Sequence, residues 1–306
     1  MTKTVLVSGA SGFIGSHVAA RLAEEGYRVR AMTRRPRDYR GAGEPAAADV
    51  SDPGSLTAAF AGVDVAYYLV HSLAADDFER RDAAAARNFA EAAAAAGVGR
   101  IIYLGGLGAN DGELSAHLRS RREVERILKS GPVPVTVLRA AVVIGHGGIS
   151  WEITRQLAQR LPAMVTPRWV RTRTQPIALP DAVRYLTGVL EPAEARGRTY
   201  EIGGPDVLRY IDMLQRVAKI RGRRLPNLTV PLLTPRLSSA WLQFVTDVDL
   251  ATARTLVDSM TTEVVVRDDA ITRLVPGAPL GYDDAVRLAL ADRERAAGQD
   301  RVREAR

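Results

Sequence analysis

The sequence contains no cysteine in its 306 residues. Without thiols the chain can form no disulfide scaffold, no cysteine-ligated zinc or iron–sulfur centre and no thiol nucleophile. Histidine is scarce, with 4 residues and no two at a short metal-ligand spacing, so we predict no metal site. No run of about 18 apolar residues could span a membrane, and the first residues do not resemble a signal peptide. We therefore expect a cytoplasmic protein.

Lysine is also scarce, so arginine supplies almost all of the 42 basic side chains. The net charge is +7, and the excess lies in residues 151–230, which hold 14 basic and 7 acidic side chains. This stretch could face an anionic ligand, a membrane surface or a protein partner, or it could be an arginine-rich face exposed to solvent. No zinc finger or basic repeat is present, so we predict no nucleic-acid partner.

Apolar segments of two kinds alternate through residues 1–145. Short runs at residues 5–7, 64–70 and 100–104 predict strands buried on both faces, as in parallel sheets. Residues 13–25 and 79–96 carry apolar side chains at helical spacing. The alternation predicts an α/β fold with a doubly wound parallel sheet.

A glycine-rich turn follows the first predicted strand and opens the first predicted helix. It has the spacing GxxGxxG, typical of dinucleotide binding, and its residues are Gly9, Ala10, Ser11, Gly12, Phe13, Ile14 and Gly15. Such glycines form a tight turn, let the backbone approach a pyrophosphate and allow close packing of helix on strand. We expect Ser11, Phe13 and Ile14 to offer amides or a hydroxyl at the helix N-terminus. The alternative is a glycine-rich turn without a ligand.

The residues after the second predicted strand indicate which dinucleotide binds. An NAD enzyme usually carries an acid there for the ribose 2′-hydroxyl. This chain has Arg34 and Arg35 and no acid at that point, which favours the 2′-phosphate of NADP(H). Asp49 and Val50 follow the expected third strand, where we expect them to contact the adenine, although Asp49 could be an ordinary loop acid.

Ligands of open α/β sheets bind at the carboxyl ends of the strands. Leu69, Val70 and His71 end the fourth strand, and Ala140 ends the sixth. We expect the first three beside the nicotinamide ribose and Ala140 beside the carboxamide. His71 could also be a plain loop residue.

These motifs resemble the short-chain dehydrogenase/reductase superfamily, in its extended and atypical branches. Residues 175–177 and 181–183 resemble the segment that ties the C-terminal domain of extended members to the sheet. Residues 200–205 and 208–210 are similar to the NADPH-holding accessory subunit of respiratory complex I. NmrA-like sensor proteins share the same N-terminal half. The resemblance implies a Rossmann fold with NADP(H) as its cofactor.

The resemblance also implies two units. We predict an NADP-binding Rossmann domain at residues 1–150, to which residues 177–203 return. Residues 151–176 and 204–306 would form a smaller α/β domain for a substrate or partner. We expect the charged tail from Asp292 to fray.

The superfamily's proton-relay set of serine, tyrosine and lysine is replaced in this chain. His117 and Arg121 stand four residues apart in the places of the tyrosine and lysine, and glycines occupy the place of the serine. His117 could act as an acid–base group with a pKa within reach of neutral pH, and Arg121 could hold the ribose or a substrate oxyanion. Alternatively, His117 only packs the pocket and Arg121 binds NADP(H) without chemistry.

The substrate side carries less specific signals. Large apolar residues of the second half are candidates for a substrate cavity or for a small-domain core: Trp151, Met164, Trp169, Trp241 and Phe244. Arg168, Arg171 and Arg173 flank Trp169. Such a cavity would suit a hydrophobic or anionic small molecule, a quinone or a bilayer surface, and residues 225–245 could touch a membrane interface.

Two hypotheses about function remain open. The first is a reductase that transfers hydride from NADPH to a carbonyl, quinone or activated alkene, using His117 and Arg121. The second is a non-catalytic NADP(H)-binding redox sensor or assembly partner, which the loss of the proton-relay set favours.

Overall fold

A computed structural model describes residues 2–72, 77–108, 114–166, 168–229, 247 and 258–304. Its main sheet contains seven strands: β1 (Thr4–Ser8), β2 (Arg28–Thr33), β3 (Glu44–Ala47), β4 (Val65–Tyr68), β5 (Arg100–Gly106), β6 (Val135–Ala140) and β11 (Thr199–Ile202). All neighbours are parallel, in the spatial order β11-β6-β5-β4-β1-β2-β3. The order reverses between β1 and β4, and the crevice at this switch point is where such sheets bind ligands.

Helices cover both faces of the sheet, which explains the apolar strands. The helices are α1 (Phe13–Glu24), α2 (Pro53–Phe60), α3 (Phe78–Ala95), α4 (Ala116–Ser130) and α6 (Leu179–Gly188). Helices α1 and α6 share one apolar core with the sheet, while α2, α3 and α4 share the core on the opposite face. Gly97 follows α3 with a φ of +69°, a backbone conformation that glycine adopts without strain, and the helix ends there.

A second apolar core lies outside the sheet, around α5 (Ile149–Arg160), α7 (Tyr210–Ile220) and α9 (Tyr282–Glu304). The remaining elements are short: β7 (Val143–Ile144), β8 (Met164–Thr166), β9 (Arg173–Thr174), β10 (Ile177–Ala178), β12 (Leu208–Arg209), β13 (Asn227–Thr229) and α8 (Ile271–Leu274). They pair as β7 with β10, β9 with β12 and β8 with β13. The chain leaves this second core to add α6 and β11 to the main layers, and β11 pairs with β6.

The tail from Asp292 does not fray as expected but continues α9 to Glu304. Pairs of opposite charge one turn apart, Arg287 with Asp284 and Arg295 with Asp292, support the helix. Arg293 also reaches across to Glu152 on α5. Within the described ranges, no helix has the length and apolar character needed to cross a bilayer.

Candidate functional site

The glycine turn is packed so tightly that it admits no side chains at two positions. Gly9 has a φ of +70°, and a Cβ there would lie 2.9 Å from the carbonyl oxygen of Leu69. A Cβ on Gly15 would lie 2.1 Å from the carbonyl oxygen of Gly9. The turn therefore draws the start of α1 onto the end of β1. The free N–H groups and positive dipole end of α1 suit a pyrophosphate.

One open cavity of about 830 Å³ lies over this turn and along the carboxyl ends of the strands. It collects nearly all of the site residues predicted from the sequence: Gly9, Ser11, Gly12, Phe13, Ile14, Gly15, Arg34, Asp49, Val50, Leu69, Val70, His71, His117, Arg121 and Ala140. The exception is Arg35, whose exposed side chain does not line the cavity and whose backbone N–H donates to the Thr33 hydroxyl. Of the two arginines, only Arg34 lines the cavity.

Arg34 and Asp49 lie together at one end of the cavity. Burial alone would raise the pKa of Asp49, but hydrogen bonds from Ser51 and the charge of Arg34 outweigh it and lower that pKa. Nearby, the Asn88 side chain on α3 donates to the carbonyl oxygen of Val50 at 2.9 Å. This end thus holds an ionised carboxylate, an arginine and a fixed backbone segment.

Arg121 lies at the other end of the cavity, on α4. Its residue surface is only 8% exposed. The Tyr103 hydroxyl donates to its backbone carbonyl and also interacts with its guanidinium, which forms no ion pair with a carboxylate of the described residues. A buried cation without a carboxylate partner is costly, and an anionic or electron-rich ligand would offset that cost.

Two histidines face Arg121 across the cavity. Desolvation and then the Arg121 charge lower the pKa of His117 to about 3, and the same causes lower that of His71, whose side chain is more exposed to the cavity. Nδ1 of His117 is buried and has no partner among the described atoms. His117 is therefore a neutral imidazole near pH 7, which differs from the expected pKa within reach of neutrality.

Packing is tight at Gly106, one of the glycines in the place of the missing serine. A Cβ on Gly106 at the end of β5 would lie 2.8 Å from a Leu118 methyl carbon on α4. The register pairs Gly106 with Ala140, so both strand ends border the cavity. Without a side chain at Gly106, α4 can approach the sheet and bring His117 and Arg121 to the cavity.

Sequence reasoning missed several lining residues. Arg81 and Asn88 come from α3, Ser72 follows β4, and others come from remote parts of the chain: Gly147, Gly148, Ile149, Ser150, Tyr210, Ser259, Met260 and Val264. The glycines of the loop before α5 did carry a usable signal. A Cβ on Gly148 would lie 2.8 Å from the Phe13 ring. The loop can therefore pack this closely on α1 only with a glycine at position 148.

The substrate candidates of the second half fall elsewhere. Trp151 and Met164 are buried in the second core, and Arg173 pairs with Glu263 on the surface. The side chains of Arg168 and Trp169, together with Trp241, Phe244 and most of the 225–245 stretch, lie outside the described residues. No basic side chain described in residues 151–230 lines the cavity, so the expected arginine border is wrong for that part of the chain.

The fold and the glycine turn define a Rossmann-fold dinucleotide-binding protein. Residues 9–170 match the model of a family described as NAD(P)H-binding, and the chain belongs to that family. The fold and the NAD(P)H-binding class that the resemblance to the short-chain dehydrogenase/reductase superfamily implies are confirmed.

Known proteins similar to this chain are mainly reductases. A ceramide reductase of Caulobacter vibrioides is 30% identical over 169 residues, which cover 52% of this chain and 52% of the relative. This chain spans about half the length, or less, of the curated relatives it matches.

Solved structures show the same fold at low identity. An NADPH-dependent quinone oxidoreductase from Escherichia coli, complexed with NADPH, is 20% identical with a TM-score of 0.76, covering 92% of this chain and 98% of that one. A nucleoside-diphosphate-sugar epimerase from Staphylococcus aureus is 14% identical with a TM-score of 0.77, covering 93% and 99%. At these identities the likeness shows the shared fold.

Proposed function

We propose that the protein is an atypical, NmrA-like short-chain reductase of the cytoplasm that transfers hydride from NADPH to a carbonyl, quinone or activated alkene. The observation that carries this proposal is buried Arg121 at the far end of the dinucleotide cavity, where none of the described carboxylates pairs with its guanidinium. A positive charge held there without a counter-ion among the described residues favours a reaction in which negative charge develops on a substrate oxygen.

The choice of NADPH over NADH rests on Arg34. It lines the cavity beside Asp49 and can pair with a 2′-phosphate, whereas the first described residues after β2 include no acid for a free 2′-hydroxyl. The tight contacts of Gly9 and Gly15 fit a pyrophosphate on the adjoining amides.

The residues of this chain have separate roles in the proposed reaction. NADPH, when bound, supplies the hydride. Arg121 stabilises the oxygen that becomes negative, and neutral His117 contributes a hydrogen bond rather than an ionised acid. With no imidazolium and no tyrosine in the usual place, the proton that completes the reduction comes from water.

The second candidate is a non-catalytic NADP(H) sensor or assembly partner. It is favoured by the replacement of the proton-relay set, because Leu118 occupies the space that a side chain at Gly106 would need. The described basic residues of the 151–230 stretch, none of which lines the cavity, would then serve a protein or membrane partner.

The test separates binding from turnover. NADPH binding is measured by its fluorescence, and NADPH oxidation is assayed with a naphthoquinone, an aromatic aldehyde and an enone. We expect turnover with at least one acceptor, reduced about 100-fold or more in Arg121→Met, since each lost charge interaction of about 3 kcal/mol has that effect. Arg126→Met, which removes an exposed arginine on the same helix, is the control. Tight NADPH binding without any turnover would favour the sensor.

A further inference from the structure

The cavity continues beyond Ala140 into a region built by the second half of the chain. We call it the apolar chamber, and its walls are Leu107, Leu118, Ala141, Val142, Val143, Ile149, Tyr210, Met260 and Val264. Leu107, Leu118 and Val264 form one small apolar cluster, against which Ala141 packs. Among described lining residues from position 141 onward, none carries a charge, and the polar ones are Ser150, Tyr210 and Ser259.

The few cations of the cavity are spread so that only one reaches the chamber. Arg34 lies beside Asp49 at the opposite end, and Arg81 pairs with Asp77. Arg121 follows Leu118 by one helical turn, and its Cβ lies 3.6 Å from the Cβ position of Gly106. The chamber therefore offers one positive charge at its inner end and apolar surface elsewhere.

This distribution decides between substrate classes. A sugar nucleotide would bring two diphosphate charges and several hydroxyl groups, each costing roughly 1–3 kcal/mol if buried without a partner. An apolar molecule would gain about 25 cal/mol for each Å² of surface removed from water. The described walls of the chamber therefore favour an apolar molecule over a sugar nucleotide.

One wall of the chamber, formed by residues 259–264, is also hydrogen-bonded to α4, the helix that carries His117 and Arg121. The Ser259 hydroxyl lies 3.0 Å from that of Ser115, which caps the N-terminus of α4. This hydrogen bond connects residues 259–264 to the turn that holds His117, so this wall of the chamber is held to α4.

We propose that the apolar chamber selects an uncharged, largely hydrocarbon substrate, such as an aromatic or alkyl-substituted quinone or enone, that carries no phosphate or sugar. This rests on the proposed reductase function. The hydride adds to a carbon of the conjugated system, the carbonyl oxygen takes the negative charge beside Arg121, and water supplies its proton. The products are NADP⁺ and the two-electron-reduced substrate.

The first test compares two acceptors that share one reactive core, 1,4-naphthoquinone and 1,4-naphthoquinone-2-sulfonate. We expect kcat/KM to favour the uncharged quinone by about tenfold or more. The double variant Ile149→Gln with Met260→Gln should narrow that ratio to about threefold while the NADPH Kd stays unchanged. Leu280→Gln is the matched control, because this residue is 38% exposed, close to the 40% of Ile149, and lies outside the cavity. An equal or reversed preference in the wild-type protein would overturn the proposal.

The second test needs no turnover. Binding of the uncharged fluorophore N-phenyl-1-naphthylamine to the NADP⁺ complex is measured, and we expect its Kd to rise about tenfold in the double variant. If the fluorophore binds in this way but no acceptor is reduced, the result supports the proposed apolar chamber and contradicts the proposed reductase function. If acceptors are reduced but the fluorophore does not bind, or binds the double variant equally, the chamber proposal fails alone.

Discussion

The buried carboxylate of Asp82 accepts a hydrogen bond from the Ser120 hydroxyl at 3.1 Å, and its other oxygen accepts one from the backbone N–H of Ser72 at 2.9 Å. Ser120 precedes Arg121 on α4, and Ser72 follows His71. A single side chain on α3 thus fixes both segments that carry the polar groups of the inner cavity. Because Asp82 is only 3% exposed, water scarcely competes for these bonds.

Asp82→Asn keeps the shape of the side chain but turns one acceptor into a donor. We expect the free energy of unfolding to fall by about 1–3 kcal/mol, since a buried bond is lost. We also expect kcat for naphthoquinone reduction to fall about tenfold as Arg121 shifts. Urea unfolding and steady-state kinetics measure the two effects, with exposed Glu91→Gln on the same helix as control. Lower stability with unchanged kcat would mean that Asp82 only holds the fold together.

Arg34 and Arg35 should have unequal effects on cofactor choice. Because only Arg34 lines the cavity, Arg34→Ala should weaken NADPH binding about 10- to 100-fold and leave NADH binding nearly unchanged. Arg35→Ala, its neighbour and matched control, should change both affinities less than about threefold. Fluorescence titration of each variant with both cofactors decides the matter. An equal loss of NADPH affinity in the two variants would place Arg35 at the phosphate as well.

His117 should make the protein sensitive to acid. Its folded-state pKa, about 3, lies below the 6.5 of an unperturbed histidine. Between these two pH values, His117 binds a proton in the unfolded chain but stays neutral in the folded chain. The stability contributed by neutral His117 is therefore present above pH 6.5 and is lost as the pH falls from 6.5 towards 3. Between pH 7 and pH 5 the loss amounts to about 2 kcal/mol.

His117→Gln should remove that part of the pH dependence. Urea unfolding without cofactor at pH 7 and pH 5 measures it, and exposed His17→Gln on α1 is the control variant. We also expect kcat of the wild-type enzyme to show no histidine titration between pH 5.5 and 8. A decline of kcat with a midpoint near pH 6.5 that His117→Gln abolishes would contradict a neutral His117.

Arg100 should hold the returning segment 177–203 to the sheet. Its guanidinium donates to the carbonyls of Val189 at 2.7 Å, Leu190 at 2.9 Å and Pro192 at 3.1 Å, just beyond the end of α6. Arg100→Met leaves these acceptors without their donor and should cost about 2–4 kcal/mol of unfolding free energy. Arg28→Met, at the exposed start of β2, is the control. A loss below about 1 kcal/mol in urea unfolding would mean that water replaces the guanidinium.

The parts of the site that depend on local sequence could be predicted. The turn from Gly9 to Gly15 carries its geometry in the spacing of its glycines, and His117 and Arg121 are brought together by one turn of a single helix. Asp82 could have been found too, because it lies one turn before Ala85 and Ala86 on the buried face of α3.

The remaining features depend on contacts between distant segments. Arg34 and Arg35 are equivalent in composition and differ only in side-chain direction, which the sequence does not specify. Tyr210, Met260 and Val264 meet in the chamber only after the second core has formed, and each has a local pattern of ordinary core residues. The low pKa of His117 arises from its burial beside Arg121, which no spacing reveals.

The pairing of β11 with β6 has a consequence for synthesis on the ribosome. Until residues 199–202 emerge from the ribosome, the outer edge of the apolar strand β6 presents unpaired N–H and C=O groups. Such an edge can pair with strands of other nascent chains. The first half of the protein therefore remains aggregation-prone during translation until part of the second half has been made. A fragment that ends after residue 150 lacks β11 and therefore leaves the edge of β6 exposed.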